Sequence, residues 1–189
     1  MSRILSMKPA IDLQPDLQVE RLTSSTANLA AILTIEAGCF PAAWQYPDAE
    51  DFFARALHDP DNLTLGLKAG QFIVGYLLAT PYDAALSCLR DADPKMVASN
   101  AGQQYYVDTI AVLPEWNGRG GATALMRELE REAAARGLPS LAIHARTANG
   151  LNVLVRRLAE ERLIRTRWLD NWSWADGEPY EFIEWWCDR

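Results

Sequence analysis

Two hydrophobic periods alternate along the chain, and the switches between them mark its elements. Leu17 to Leu22 reads as a first strand after a loose leader over residues 1–16. Thr23-Ser24-Ser25-Thr26 offers several N-caps for a helix that runs to about Cys39, where Phe40-Pro41 breaks it. Asp48 and Asp51 resemble a capping box, with Phe52, Phe53, Ala56 and Leu57 as the apolar face of a second helix. Leu63, Leu65 and Leu67 then alternate with Thr64, Gly66 and Lys68, the period of a half-buried strand. Ala69-Gly70-Gln71 turns the chain, and Phe72 to Thr80 returns as a strand in which Gly75 suggests a bulge. Residues 81–102 are polar and irregular, with at most a short helix near Ala84 to Arg90.

The next unit is the most informative. Tyr105 to Leu113 is an apolar, β-branched and aromatic run closed by Pro114. From Ala122 onward, Ala122, Leu125, Met126, Leu129 and Ala133 fall at helical spacing, and Gly137 and Pro139 end that helix. Leu141 to Ala145 reads as a fifth strand, parallel to the fourth because a helix links them. Asn149 to about Glu160 makes a helix, and strands near Arg165–Trp174 and Tyr180–Trp186 close the chain around an Asp176-Gly177 turn. The order β-α-α-β-β-β-α-β-α-β-β predicts a mixed α/β (α+β) sheet in one domain, residues 17–189.

Between the fourth strand and its helix lies Asn117-Gly118-Arg119-Gly120-Gly121-Ala122-Thr123. A helix's first turn presents unpaired N–H groups at the positive end of its dipole, and glycines let the backbone approach a ligand closely. Such a turn suits a phosphate or pyrophosphate. It is not a P-loop, since no Lys-Ser or Lys-Thr follows the last glycine, and it matches the dinucleotide fingerprint only in part.

Charge and cysteine content narrow the field. The formal net charge of −7 opposes binding to nucleic acid or to an anionic membrane; it suits a cationic partner and equally serves solubility alone. No apolar run is long enough to span a bilayer, and the N-terminus lacks the apolar core of a signal peptide. The three cysteines, Cys39, Cys88 and Cys187, have no metal-ligand spacing, so reduced thiols in a cytoplasmic protein without a metal are expected.

Val112-Leu113-Pro114 followed by Asn117, Gly120 and Ala122 resembles the coenzyme A pyrophosphate loop of the GNAT superfamily of N-acetyltransferases, with Asn117 where that family carries Gln or Arg. The resemblance extends over the element order of about residues 17–187. A shorter likeness, Ile35-Glu36-Ala37-Gly38-Cys39-Phe40-Pro41 with Trp44 and Phe52, is to bacterial ribosomal-protein alanine N-acetyltransferases. The resemblance implies a seven-stranded sheet splayed between its fourth and fifth strands, and acetyl-coenzyme A as cosubstrate. It also implies direct transfer to a primary amine, with a protein or peptide amine ahead of a small cationic one. A non-catalytic acyl-coenzyme A binding module is the alternative.

By the same resemblance, the backbone of Ile110, Ala111 and Val112 pairs with pantetheine amides. The loop Asn117, Gly118, Arg119, Gly120, Gly121, Ala122 and Thr123 holds the pyrophosphate. Asn149 and Arg156, at the helix that follows the fifth strand, are further expected coenzyme A contacts; the family's tyrosine is absent there, and Arg156, seven residues after Asn149, would stabilise the leaving thiolate. Tyr105, Tyr106 and Tyr180 are other possible proton donors.

Two side chains are candidates for the base. Asp108 lies in an apolar strand, where burial raises a carboxyl towards working pH. His144 on the fifth strand titrates near neutrality without perturbation. The expected division is His144 as base and Asp108 as the carboxylate that orients the amine, the alternatives being a structural Asp108 capped by local hydrogen bonds and a satisfied core histidine. Among the C-terminal aromatics, Trp172 and Tyr180 are candidates for an acceptor pocket or a homodimer interface.

Overall fold

The computed structural model describes residues 16–98, 103–172 and 177–187. Most of the 1–16 leader, together with Trp174 and Asp176, lies outside the described residues. Seven strands form one sheet in the order β1-β2-β3-β4-β5-β7-β6: β1 Leu17–Arg21, β2 Leu63–Ala69, β3 Phe72–Pro81, β4 Gln104–Val112, β5 Ser140–Arg146, β6 Leu163–Trp172 and β7 Glu178–Trp186. Five α-helices cover it: α1 Thr26–Cys39, α2 Ala49–His58, α3 Tyr82–Ala92, α4 Gly121–Ala135 and α5 Leu151–Ala159.

The faces follow from residue alternation. Leu65, Leu67, Tyr105, Val107, Leu141 and Ile143 pack with Leu125, Met126 and Leu129 of α4 and Val155 of α5. On the other face, Ile32, Ile35 and Phe53 of α1 and α2 meet Tyr76, Leu78 and Ala111. Beside them Tyr82, Leu86 and Leu89 of α3 meet Tyr106, Ala142 and Phe182.

Three expectations need correction. The 81–102 connection contains an eleven-residue helix, longer than Ala84–Arg90, because Tyr82, Leu86 and Leu89 recur at helical spacing and bury against the sheet. The element order therefore gains a helix between β3 and β4. Asp48 occupies the N-cap of α2, but its side chain makes no cap bond. Ser25 does cap α1, accepting from the Asn28 N–H at 3.1 Å.

Two features of β4 place the chemistry. It pairs in parallel with β5 only from Gln104↔Ser140 to Val107↔Ile143; beyond that point each strand stays bonded to its outer neighbour while the two part. Just there β4 bulges. Leu78 pairs with Thr109 and Ala79 with Val107, which leaves Asp108 as the extra residue. A bulge also falls next to Gly75, where Val74 is skipped between the Leu67↔Gly75 and Lys68↔Ile73 pairs. A Cβ on Gly75 would lie 2.8 Å from the Ala111 carbonyl oxygen, so glycine permits the close approach of β3 to β4.

Candidate active site

The turn into α4 is built by backbone conformation. Gly118 (φ 75°) and Gly120 (φ 81°) lie in the left-handed region, and a Cβ on either would face open space. Gly120 is also the N-cap of α4, so no side chain caps the helix and no acidic residue sits in its first turn. The first intrahelical bond is donated by Ala124 to the Gly120 carbonyl. The N–H groups of Gly121, Ala122 and Thr123 therefore have no partner within the helix and point out of its positive end. Gly121 serves a different purpose: its Cβ would lie 2.4 Å from Leu67 Cδ2, so its absence seats α4 on β2.

Val112, Trp116, Asn117, Gly118, Gly120, Gly121, Ala122 and Thr123 line one concavity of about 210 Å³. Arg119 turns back along the loop, its guanidinium 4.7 Å from the Trp116 ring and bonded to the Glu115 carbonyl at 3.1 Å. The cradle leads into the opening between β4 and β5. There Ile110 and Ala111 pair with β3 alone, so their edge towards β5 has no strand beside it.

Asn149 and Arg156 are engaged within the protein. Asn149 Oδ1 accepts from the Leu151 N–H at 3.1 Å at the start of α5. Arg156 Nε donates to the buried Glu181 carboxylate of β7 at 2.9 Å, and Asn152 donates to the same group at 3.1 Å.

On the α1–α3 face, where the sheet opens, lies a cavity of about 650 Å³. Its walls include Asp108, Tyr106 and Thr109 of β4, His144 of β5, Trp172 and Tyr180 of β6 and β7, and Glu36, Trp44 and Tyr46 from α1 and the chain beyond it. The bulge turns two consecutive residues, Asp108 and Thr109, onto this one wall. Tyr105 faces the opposite core, where its hydroxyl donates to the Asp61 carbonyl at 2.8 Å. Of the three tyrosines considered as proton donors, Tyr106 and Tyr180 thus meet the cavity.

Asp108 Oδ2 is shielded from water and has no hydrogen-bond partner among the described residues. Burial pushes its carboxyl up from 3.8 to about 7, with Thr80 and nearby backbone offsetting part of the rise. Burial also raises the Tyr106 and Tyr46 hydroxyls, and the nearby Asp108 carboxylate adds to both. Glu36 is buried and accepts from the Tyr76 hydroxyl; burial raises its carboxyl, and that bond opposes the rise.

Both nitrogens of His144 are engaged. Nδ1 lies 2.9 Å from the Tyr106 hydroxyl and Nε2 lies 3.0 Å from Asp93 Oδ2, while Trp172 packs on the ring at 4.4 Å between centroids. Burial lowers the His144 pKa, with Asp93 opposing. Sequence reasoning missed Asp93 and Tyr46, and it reached Glu36 only as part of the Ile35–Pro41 likeness and Tyr106 only as a candidate proton donor. Among the described residues, no group of three His, Cys, Asp or Glu side chains converges as metal ligands would.

Residues 29–163 match the model of the acetyltransferase (GNAT) family. No curated protein sequence matches the chain. Among solved structures, the fold is similar to the ribosomal-protein-S18-alanine N-acetyltransferase from Escherichia coli (18% identity, TM-score 0.64, covering 92% of this chain and 96% of that one). It is also similar to Arabidopsis thaliana NAA60 in complex with acetyl-CoA (16% identity, TM-score 0.69, 90% and 99%). Agmatine N-acetyltransferase is a third (14% identity, TM-score 0.65, 90% and 100%). At these identities the likeness is one of fold, whereas the family match spans both the glycine turn and the parting strands. The chain belongs to the acetyltransferase (GNAT) family of acetyl-coenzyme A-dependent N-acetyltransferases.

Proposed function

We propose that the protein acetylates a compact cationic primary amine bound in the Asp108 pocket, and that Asp108 receives the amine's proton. The observation that carries this reading is Asp108 itself: a largely buried carboxyl on the cavity wall, at the bulge where β4 and β5 part, with its pKa raised to about 7. A base is most effective when its pKa lies near working pH. His144 is less suited to direct contact, since both of its nitrogens already have partners. The base expected from the sequence, His144, thus gives way to Asp108.

Acetyl-coenzyme A fits the opposite end of the site. The unpaired N–H groups of α4 and the left-handed glycines suit its pyrophosphate, and the free edge of Ile110, Ala111 and Val112 suits its amide arm. When bound, it supplies an acetyl group activated as a thioester. On the acceptor side, the aromatic walls and the carboxylates of Asp108 and Glu36 attract an ammonium group. The Asp108 carboxyl then takes one proton, leaving the nitrogen lone pair free. A volume of about 650 Å³ lies in the range of small-molecule sites. This supports a small amine over the protein amine favoured by the sequence. Similar folds carry both kinds of name, agmatine in one and a ribosomal-protein alanine in another.

The test is turnover of acetyl-coenzyme A, followed by thiol release, with agmatine, spermidine, a lysine peptide and an N-terminal alanyl peptide. Turnover should favour the first two, and kcat/KM should rise with pH through a step near 7. Asp108→Asn should remove that step and lower kcat/KM by about 10²- to 10⁴-fold. Coenzyme A binding without turnover on any amine would favour a non-catalytic module.

A further inference from the structure

A single hydrogen-bonded line crosses the core and ends at the pocket: Arg167 of β6, Asp93 just past α3, His144 of β5 and Tyr106 of β4. Asp93 is its fixed point. Oδ2 accepts from Arg167 and from His144 Nε2, and Oδ1 accepts from the Lys95 N–H at 3.2 Å. Burial alone would favour the neutral acid, but the bonds from His144 and Arg167 outweigh it and keep the carboxyl well below the usual carboxylate range.

The direction of each bond then follows. An ionised carboxylate only accepts, so His144 Nε2 carries the proton. Burial keeps the imidazole neutral, so Nδ1 is a lone pair. At 2.9 Å from that lone pair, the Tyr106 hydroxyl must donate to it. Its proton is thus committed to His144, and Tyr106 turns only lone pairs towards the pocket. The carboxylates of Asp108 and of Glu36, whose Oε1 already receives the Tyr76 proton, are also acceptors when ionised. The carboxylates and Tyr106 together favour a guest that donates more than one N–H.

We infer that Asp93 is a positioning residue of the acceptor site: through His144 it fixes Tyr106 as a hydrogen-bond acceptor, so that an amine which has given one proton to Asp108 keeps another N–H on Tyr106. An alcohol of the same skeleton has no second hydrogen to offer, so the arrangement selects nitrogen over oxygen acceptors. The functional half of this inference rests on the amine-acceptor reading above. The hydrogen-bond polarity does not.

The experiment separates the two halves. The chain has two histidines, and His58 is exposed on α2, so His58→Gln leaves His144 as the sole imidazole. Long-range ¹H–¹⁵N NMR of that variant at pH 7.5 should show a neutral ring protonated at Nε2. A ring protonated at Nδ1, or a charged ring, overturns the inference. The second measurement uses whichever panel amine turns over fastest. Tyr106→Phe should raise its KM at least tenfold while leaving coenzyme A affinity unchanged. Asp93→Asn should raise the same KM in the parent but not in the Tyr106→Phe background, because its effect passes through that hydroxyl. An undiminished Asp93→Asn effect in that background makes Asp93 merely structural and refutes the positioning role. An Nε2-protonated ring with no amine turned over would refute the acceptor reading while leaving the bond polarity intact.

Discussion

Asp108 should be a liability to the protein before it is an asset to the reaction, and the liability can be measured without a substrate. Its carboxyl rises from 3.8 to about 7 because the charged form is desolvated. Between those two values the folded protein holds a proton that the unfolded chain has released. Stability contributed by this group therefore falls as pH climbs through that window and levels off above pH 7. At about 1.4 kcal/mol per pH unit, the loss amounts to about 4 kcal/mol. Asp108→Asn keeps the shape and removes the titration. Any fixed effect of the new amide is the same at every pH, so the informative quantity is the difference in unfolding free energy between variant and parent as a function of pH. That difference should grow in the variant's favour from pH 4 to pH 7 and then stay constant. By urea titration of the ligand-free protein, the expected growth is about 3 to 4 kcal/mol, or roughly 10 °C in Tm for a chain of this size. A difference that stays flat from pH 4 to pH 8 would show that Asp108 ionises freely, and the assignment of Asp108 as base would lose its physical ground.

Three further outcomes are expected. Gly120→Asp adds a side chain and a negative charge at the left-handed cap of α4, and should weaken coenzyme A binding at least tenfold by calorimetry, a change of about 1.4 kcal/mol. Gly121→Ala forces a methyl against Leu67 and should destabilise the fold by about 1 to 3 kcal/mol; in a Leu67→Ala background the same change should cost much less, as a double-mutant cycle in urea would show. Trp172→Ala removes the ring packed on His144 and a wall of the pocket, and should raise the amine KM several-fold with coenzyme A affinity unchanged by calorimetry.

The sheet is legible in the sequence wherever a strand carries a regular alternation or an unbroken apolar run, although β2, expected half-buried, is covered on both faces. The alternation of Leu63, Leu65 and Leu67 and the apolar run of Tyr105 to Leu113 set their strands directly. The glycine turn is equally plain, because three glycines between a strand and a helix have few structural uses. Helix α3 is hidden by its polar residues, although Tyr82, Leu86 and Leu89 carry its spacing. The bulge at Asp108 is not legible at all: it exists only relative to the register of β3, so nothing in β4 alone turns Asp108 and Thr109 onto one wall. Asp93 is hidden for a similar reason. Its importance comes from meeting His144, 51 positions away, and Arg167, 74 away.

The short parallel seam between β4 and β5 has a mechanical consequence. Every other neighbouring pair of strands is laced along most of its length, but here the sheet is stitched only from Gln104↔Ser140 to Val107↔Ile143. The sheet therefore has two fully laced parts, β1–β4 and β5–β7, joined by a short seam and by the shared core under α4. A guest whose amides bond to the free edge of β4 would lengthen that stitching as a missing strand would. Amide exchange in Ile110 to Val112 should then slow far more on coenzyme A binding than exchange in β2, β3 and β7, which already have a strand on either side.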